Sequence, residues 1–172
     1  MRRGCVALAL ALASLVLFTC GSPPAAPHNA SSRIACVDPN APHHAYVVVE
    51  HLSGAWIERC VGFGPEIIDG QTIMDRSGIA YTAQWGGPST VMCRLDLEPL
   101  APNLEPLAPN TVGACAPSAN SYWAAFVESK GRWSIVRSAF TQVQLPDKEP
   151  LGWHYVRLDQ RSPSPPPSPH RL

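Results

Sequence analysis

Three things are missing from this chain of 172 residues: a long apolar run, an excess of charge of either sign, and a recognisable catalytic signature. The longest mostly apolar stretch, Val6–Phe18, is thirteen residues, short of the roughly 20 that cross a bilayer comfortably. Lys and Arg number 13 against 13 Asp and Glu, so the basic footprint of a nucleic-acid binder or of a protein drawn to acidic membranes is lacking. No GxSxG offers a nucleophile elbow, and no HExxH offers paired metal ligands on a helix. No CxxC occurs either, which excludes zinc-ribbon and thioredoxin spacing.

What is present begins with an export signal. Arg2 and Arg3 precede the apolar run, and "TCGSPPAAP" follows it, the order of a secretion leader over residues 1–20. "LFTCGS" resembles a bacterial lipobox, although Thr19 replaces the small residue usual before its cysteine. Two outcomes stand: Cys20 carries a lipid that anchors the chain to the outer face of the membrane, or ordinary cleavage occurs nearby. Residues 21–43 read as a Pro/Ala/Ser-rich linker, 44–158 as one folded domain, and 159–172 as a Pro-rich disordered tail unable to build helix or sheet. "NAS" at Asn29 is a glycosylation sequon of little weight in a bacterial-looking export context.

Beyond the leader stand Cys36, Cys60, Cys93 and Cys115. Four cysteines in an exported chain argue for two disulfides rather than metal or redox work, and spacing leaves three connectivities open.

Along the domain, "HAYVVVEHL" and "AWIERCVGF" form a hairpin turning at Ser53-Gly54. "EIIDGQTIMDRSGI" changes period, which predicts a short helix capped by Asp69 and stopped at Gly78. "STVMCRLDL" returns to strand. "LEPLAPN" then occurs twice in tandem over 97–110, a duplicated loop whose closure entropy rises by only about 0.6 kcal/mol per doubling. "SYWAAFVES" is a strand with Tyr122, Ala124 and Phe126 on one face and Trp123, Ala125 and Val127 on the other. "KGR" is a turn, "WSIV" returns antiparallel, "SAFTQVQL" extends further as strand or edge, and "GWHYVRL" is the last strand. The expected fold is α+β: one short helix on a mixed or antiparallel sheet of about five strands, stapled by disulfides.

The order "RCV", "DG…SG", "VMCRLD", "YWAAF", "GRWSIV" and "GWHYV" over roughly Ala45–Val156 resembles the C-terminal, β-grasp-like domain of transcobalamin and intrinsic factor, the DUF4430 type. The resemblance implies a β-grasp-like fold and a Cys60–Cys93 bridge, with Cys36 left for Cys115. This sequence departs from that family at "RLDLEPLAPNLEPLAPNTVGAC" and "PDKEPLGW". It carries no helical barrel of the kind that completes the corrinoid site in transcobalamin. The resemblance therefore implies cobalamin capture only together with a partner.

For Tyr122, Phe126 and Trp133 the expected role is core packing. Trp85, on the Gly-rich "AQWGGPS", is the first candidate for ligand contact, joined by Trp123 and Trp153 if their rings face outward. His43-His44 is a poor chelator, because neighbours on an extended chain point apart. Glu50, Glu58, Glu66, Asp75 and Asp96 are carboxylates that only tertiary proximity could pair, and Asp69 is more simply a cap. No residue is expected to be catalytic. The leading reading is an exported, non-enzymatic module of the bacterial cell envelope that binds a small molecule or a cell-envelope protein. Corrinoid capture auxiliary to uptake and a secreted hydrolase with an unrecognised site are the alternatives.

Overall fold

The computed structural model describes residues 34, 36–86, 89–96, 98, 111–112 and 120–171, with only the backbone at 85, 86, 89, 111 and 112. The leader with Cys20, most of the linker, Cys115, all of the duplicated loop but Glu98, and the Trp85 side chain lie outside the described residues.

In chain order the elements are β1 (Cys36–Val37), β2 (His43–Glu50), β3 (Trp56–Phe63), β4 (Ile67–Asp69), α1 (Gly70–Ser77), β5 (Tyr81–Gly86), β6 (Ser89–Leu95), β7 (Thr111–Val112), β8 (Ser121–Ser129), β9 (Arg132–Ile135), a 3₁₀ turn (Phe140–Gln142), β10 (Gln144–Pro146) and β11 (Pro150–Arg157). Six strands form the main sheet in the order β1-β3-β2-β11-β8-β9. The β2–β3 and β8–β9 hairpins are antiparallel, and between them β11 lies parallel to β2 and antiparallel to β8. Two smaller sheets, β6-β5-β7 and β10-β4, complete an α+β arrangement.

Local chemistry explains the turns. β2 and β3 close through Gly54, whose amide donates to the His51 carbonyl. Lys130 and Gly131 both take positive φ, 51° and 74°, the pair of left-handed residues that a two-residue hairpin with the strands' own twist demands. Asp69 caps α1 by accepting from the Thr72 amide at 2.9 Å and the Thr72 hydroxyl at 2.7 Å, and Gly78 ends the helix in the left-handed region. "SAFTQVQL" is not one strand: its middle makes the 3₁₀ turn, and β10 then pairs with β4, Leu145 opposite Ile68.

Alternation along the central strands buries two faces. Ala45, Val47 and Val49 of β2, Val61 and Phe63 of β3, Trp123 of β8, and Leu151, Trp153 and Tyr155 of β11 face α1, the 3₁₀ turn and the smaller sheets, and form the main core. From α1, Ile73 and Met74 are fully buried in it, each contributing about 1.5–3 kcal/mol of apolar burial. The opposite, back face carries Tyr46, Val48, Phe126 and Val156, with Tyr122 and Trp133 packed on its edge.

The disulfide pattern corrects the pairing implied by the family resemblance. Cys36 bonds Cys60, so neither Cys60–Cys93 nor Cys36–Cys115 forms. The cause is register: β1 runs parallel to β3 with Cys36 directly opposite Cys60, at a Cα separation of 4.4 Å, within bridging range. Cys93 belongs to a different sheet, in β6, and is itself disulfide-bonded.

Candidate functional site

The aromatic candidates fall on the inner face. Trp123 is 7% exposed and Trp153 2%. The β8–β11 register sets Tyr155 opposite Trp123 and Trp153 opposite Ala125, so both indoles share the face that packs in the main core rather than pointing out. Trp153 packs edge-on against Phe140 at 5.2 Å, and Trp123 meets Tyr155 at 4.8 Å. Neither indole nitrogen finds a hydrogen-bond partner among the described residues. These rings plug the core, and a ligand would have to displace it to reach them.

A second cluster lies at the end of β2. His51 presents Nδ1 to Glu98 Oε2 at 2.9 Å and Nε2 to Asp96 Oδ2 at 3.5 Å, while the Leu52 amide donates to the same Glu98 oxygen. With a carboxylate on each nitrogen, the imidazole is held as a clamp between β2 and the segment after β6. A general base needs a nitrogen open to its substrate. Glu98 belongs to the first "LEPLAPN" copy, and it joins the fold through its carboxylate on His51 and Leu52 and through its backbone, which exchanges hydrogen bonds with Leu95.

The densest polar chemistry is on the back face, and the end of the chain supplies half of it. Glu58 of β3 and Glu128 of β8 are 8% and 2% exposed. Isolated carboxylates are rarely buried so deeply, because losing water costs more than most contacts return. Here each has one partner. His170 Nδ1 donates to Glu58 Oε2 at 3.1 Å, and the Arg171 guanidinium donates to Glu128 Oε1. Their other oxygens, Glu58 Oε1 and Glu128 Oε2, are buried with no hydrogen-bond partner among the described residues. Burial pushes the Glu58 carboxyl above its usual range, against the lowering effect of the His170 hydrogen bond and charge.

Residues 161–171 reach those carboxylates without forming helix or strand. The lack of helix and strand agrees with the proline content. The Ser164 carbonyl accepts from His154 Nδ1 at 2.7 Å, which places the His154 proton on that nitrogen. Pro166 and Pro169 are buried. Pro166 sits over Gly152 of β11 beside the Trp133 ring, where an added β-carbon would come within 2.6 Å of Pro166 and 2.7 Å of Trp133. Past that point His170 stacks on Trp56, with centroids 5.6 Å apart and planes 19° from parallel. The back face is thus an aromatic and glycine-floored surface with two acidic anchor points, covered by a proline-rich strap.

Sequence reasoning reached Glu58 only as one of several unpaired carboxylates and did not single out Glu128. A signal existed: Glu58 is in phase with Cys60 and Glu128 with Phe126, so alternation alone places both on a face that is otherwise apolar. Their partners, His170 and Arg171, lie 112 and 43 residues away. Among the described residues no three His, Cys, Asp or Glu side chains gather as a metal site. Compared with known proteins, the chain matches no family model, no curated protein and no solved structure.

Proposed function

We propose that this chain is an exported, non-enzymatic interaction module of the bacterial cell envelope, built on a β-grasp-like fold, and that the back face of its main sheet is the contact surface. The observation that carries the reading is the pair of buried carboxylates, Glu58 and Glu128, partnered by the last two described residues of the chain. Acidic groups buried under a removable cover, rather than in the core, are suited to recognising a basic partner. The β-grasp reading draws support from strand order: a hairpin, a helical crossover, a second hairpin and a last strand that inserts parallel to the first long strand. A cysteine bridge at Cys36–Cys60 is in keeping with an oxidising compartment. The hydrolase alternative loses weight because His51, which lies between two carboxylates, has both ring nitrogens engaged. Corrinoid capture loses weight because Trp123 and Trp153 are core residues.

The test is site-specific photocrosslinking in a secreting bacterial host. A benzophenone side chain at Trp56 on the back face is compared with one at Val91, which is exposed on β6. A discrete envelope adduct from position 56 and none from 91 is expected. Retention of the chain in the cytoplasm, or the same adducts from both positions, overturns the proposal.

A further inference from the structure

Resting on the back face being the contact surface, we infer that this face is a docking groove for a polyproline segment ending in a basic pair, and that residues 164–171 of the chain are its built-in competitor. The strap shows what the groove accepts. "SPPPSPHR" is proline at four of eight positions, a composition already extended in the free state and therefore cheap to order on binding. Its contacts fall into two kinds. Apolar ring surface is taken up by Pro166, which lies against Trp133 over the missing side chain of Gly152, and by His170, which lies flat on Trp56. Charge is taken up at the far end, where His170 and Arg171 meet Glu58 and Glu128.

Exchange is favoured by how the strap is held. It pairs with no strand, and among the described residues its backbone is held at two separate points, the Ser164 carbonyl on His154 and the His170 amide on the Glu58 carboxylate. The basic end is open to solvent, the His170 side chain 72% and the Arg171 side chain 40% exposed, whereas the side chains of Glu58 and Glu128 beneath it are only 4% and 2% exposed. The permanent part of the site is therefore acidic and aromatic, and the removable part is proline-rich and basic. A segment of another envelope protein with that same chemistry competes for the groove. Against such a segment, which makes the same contacts, the advantage of the tethered strap is its effective concentration, of millimolar order for short flexible links.

The experiment titrates a fluorescein-labelled peptide of residues 162–172 into the full-length oxidised protein and follows anisotropy. The same titration is made on a full-length variant, His170→Ala with Arg171→Ala, whose strap lacks its acid contacts. Binding should be at least about tenfold tighter to the variant, since the cis competitor is weakened, and a peptide with Glu in place of both basic residues should not bind. In the wild-type chain excess peptide should accelerate trypsin cutting after Arg161, a readout independent of the variant's folding. Equal affinity for both chains, unchanged binding of the Glu-substituted peptide, or an unaltered cutting rate overturns the inference. A doubling of molar mass by light scattering at the same protein concentrations also overturns it, because the occupant is then the tail of a second copy. An adduct at Trp56 without peptide binding leaves the contact surface standing and removes only this choice of partner.

Discussion

Pro166 stands where a side chain on Gly152 would have to be: a β-carbon there would come within 2.6 Å of the proline ring and 2.7 Å of Trp133. Glycine at 152 is thus a condition for the strap to lie down on the sheet. Gly152→Ala should lower stability by about 1–3 kcal/mol, the usual cost of forcing extra volume into a packed site, and should raise the rate of trypsin cutting after Arg161. Chemical denaturation and timed proteolysis read the two effects separately. An unchanged cutting rate would show that the strap is held elsewhere.

Glu58 should give stability a measurable slope with pH. Its folded carboxyl lies above the ordinary 4.5, chiefly through burial, so between 4.5 and that raised value the folded state binds more protons than the unfolded one. Stability contributed by this group therefore falls as pH rises through that window, and below 4.5 the effect vanishes. Urea midpoints of the wild type and Glu58→Gln, compared at pH 4 and pH 8, should shift in favour of the variant at the higher pH. A difference independent of pH would contradict the desolvation of this side chain.

Asp69 behaves in the opposite sense. Burial alone would raise its carboxyl, but the Thr72 amide and hydroxyl hold it below the ordinary 3.8. Its contribution is fully present above 3.8 and is lost as pH falls through the depressed folded value. Asp69→Ala should cost about 1 kcal/mol at neutral pH, and the cost should shrink in acid. Thermal melts at pH 7 and pH 2.5 check both statements.

Opening the Cys36–Cys60 bridge should destabilise the chain by about 3 kcal/mol, from the entropy of the freed loop, whose ends are 24 residues apart in sequence. Cys36→Ser should show the loss in a denaturant titration. Peptide mapping of the non-reduced protein should recover Cys36 linked to Cys60, and a Cys60–Cys93 peptide would refute the register of β1 on β3.

Two tryptophans should separate core from contact surface. Trp153→Ala should cost about 3–5 kcal/mol as a buried large-to-small change, because Trp153 is 2% exposed against Phe140. Trp56→Ala, at a residue 39% exposed, should move the unfolding midpoint little and release the strap, seen again as faster cutting after Arg161. A large stability loss at position 56 would place that ring in the core instead.

Much of the fold could be read from residue pattern. Asp69 and Gly78 mark the helix, Lys130-Gly131 marks the second hairpin, and strict alternation in "SYWAAFVES" assigns Trp123 and Phe126 to opposite faces. These are local rules of period, capping and turn chemistry, and they act within a few residues. "SAFTQVQL" was harder, because a 3₁₀ turn in mid-segment answers to the packing of Phe140 on Trp153 rather than to its own alternation.

What lay beyond pattern was every relation between distant segments. Alternation sets Trp123 on the face opposite Phe126 within its own strand, but the register of β8 on β11 decides that Trp153 shares the Trp123 face, and packing decides which face α1 covers. Cysteine count says two bridges are in order, while the partner of Cys60 depends on the two-residue strand β1 settling parallel to β3. Proline content says that the tail makes no helix or sheet. Whether it stays in solvent depends on surface it can cover, and that surface is assembled from Trp56, Glu58, Glu128, Trp133 and Gly152 on four strands. Short-range sterics and capping are properties of neighbouring residues and so are legible in order. The burial of Glu58 and Glu128 is a property of the assembled six-stranded sheet, and exists only once β11 has inserted between β2 and β8.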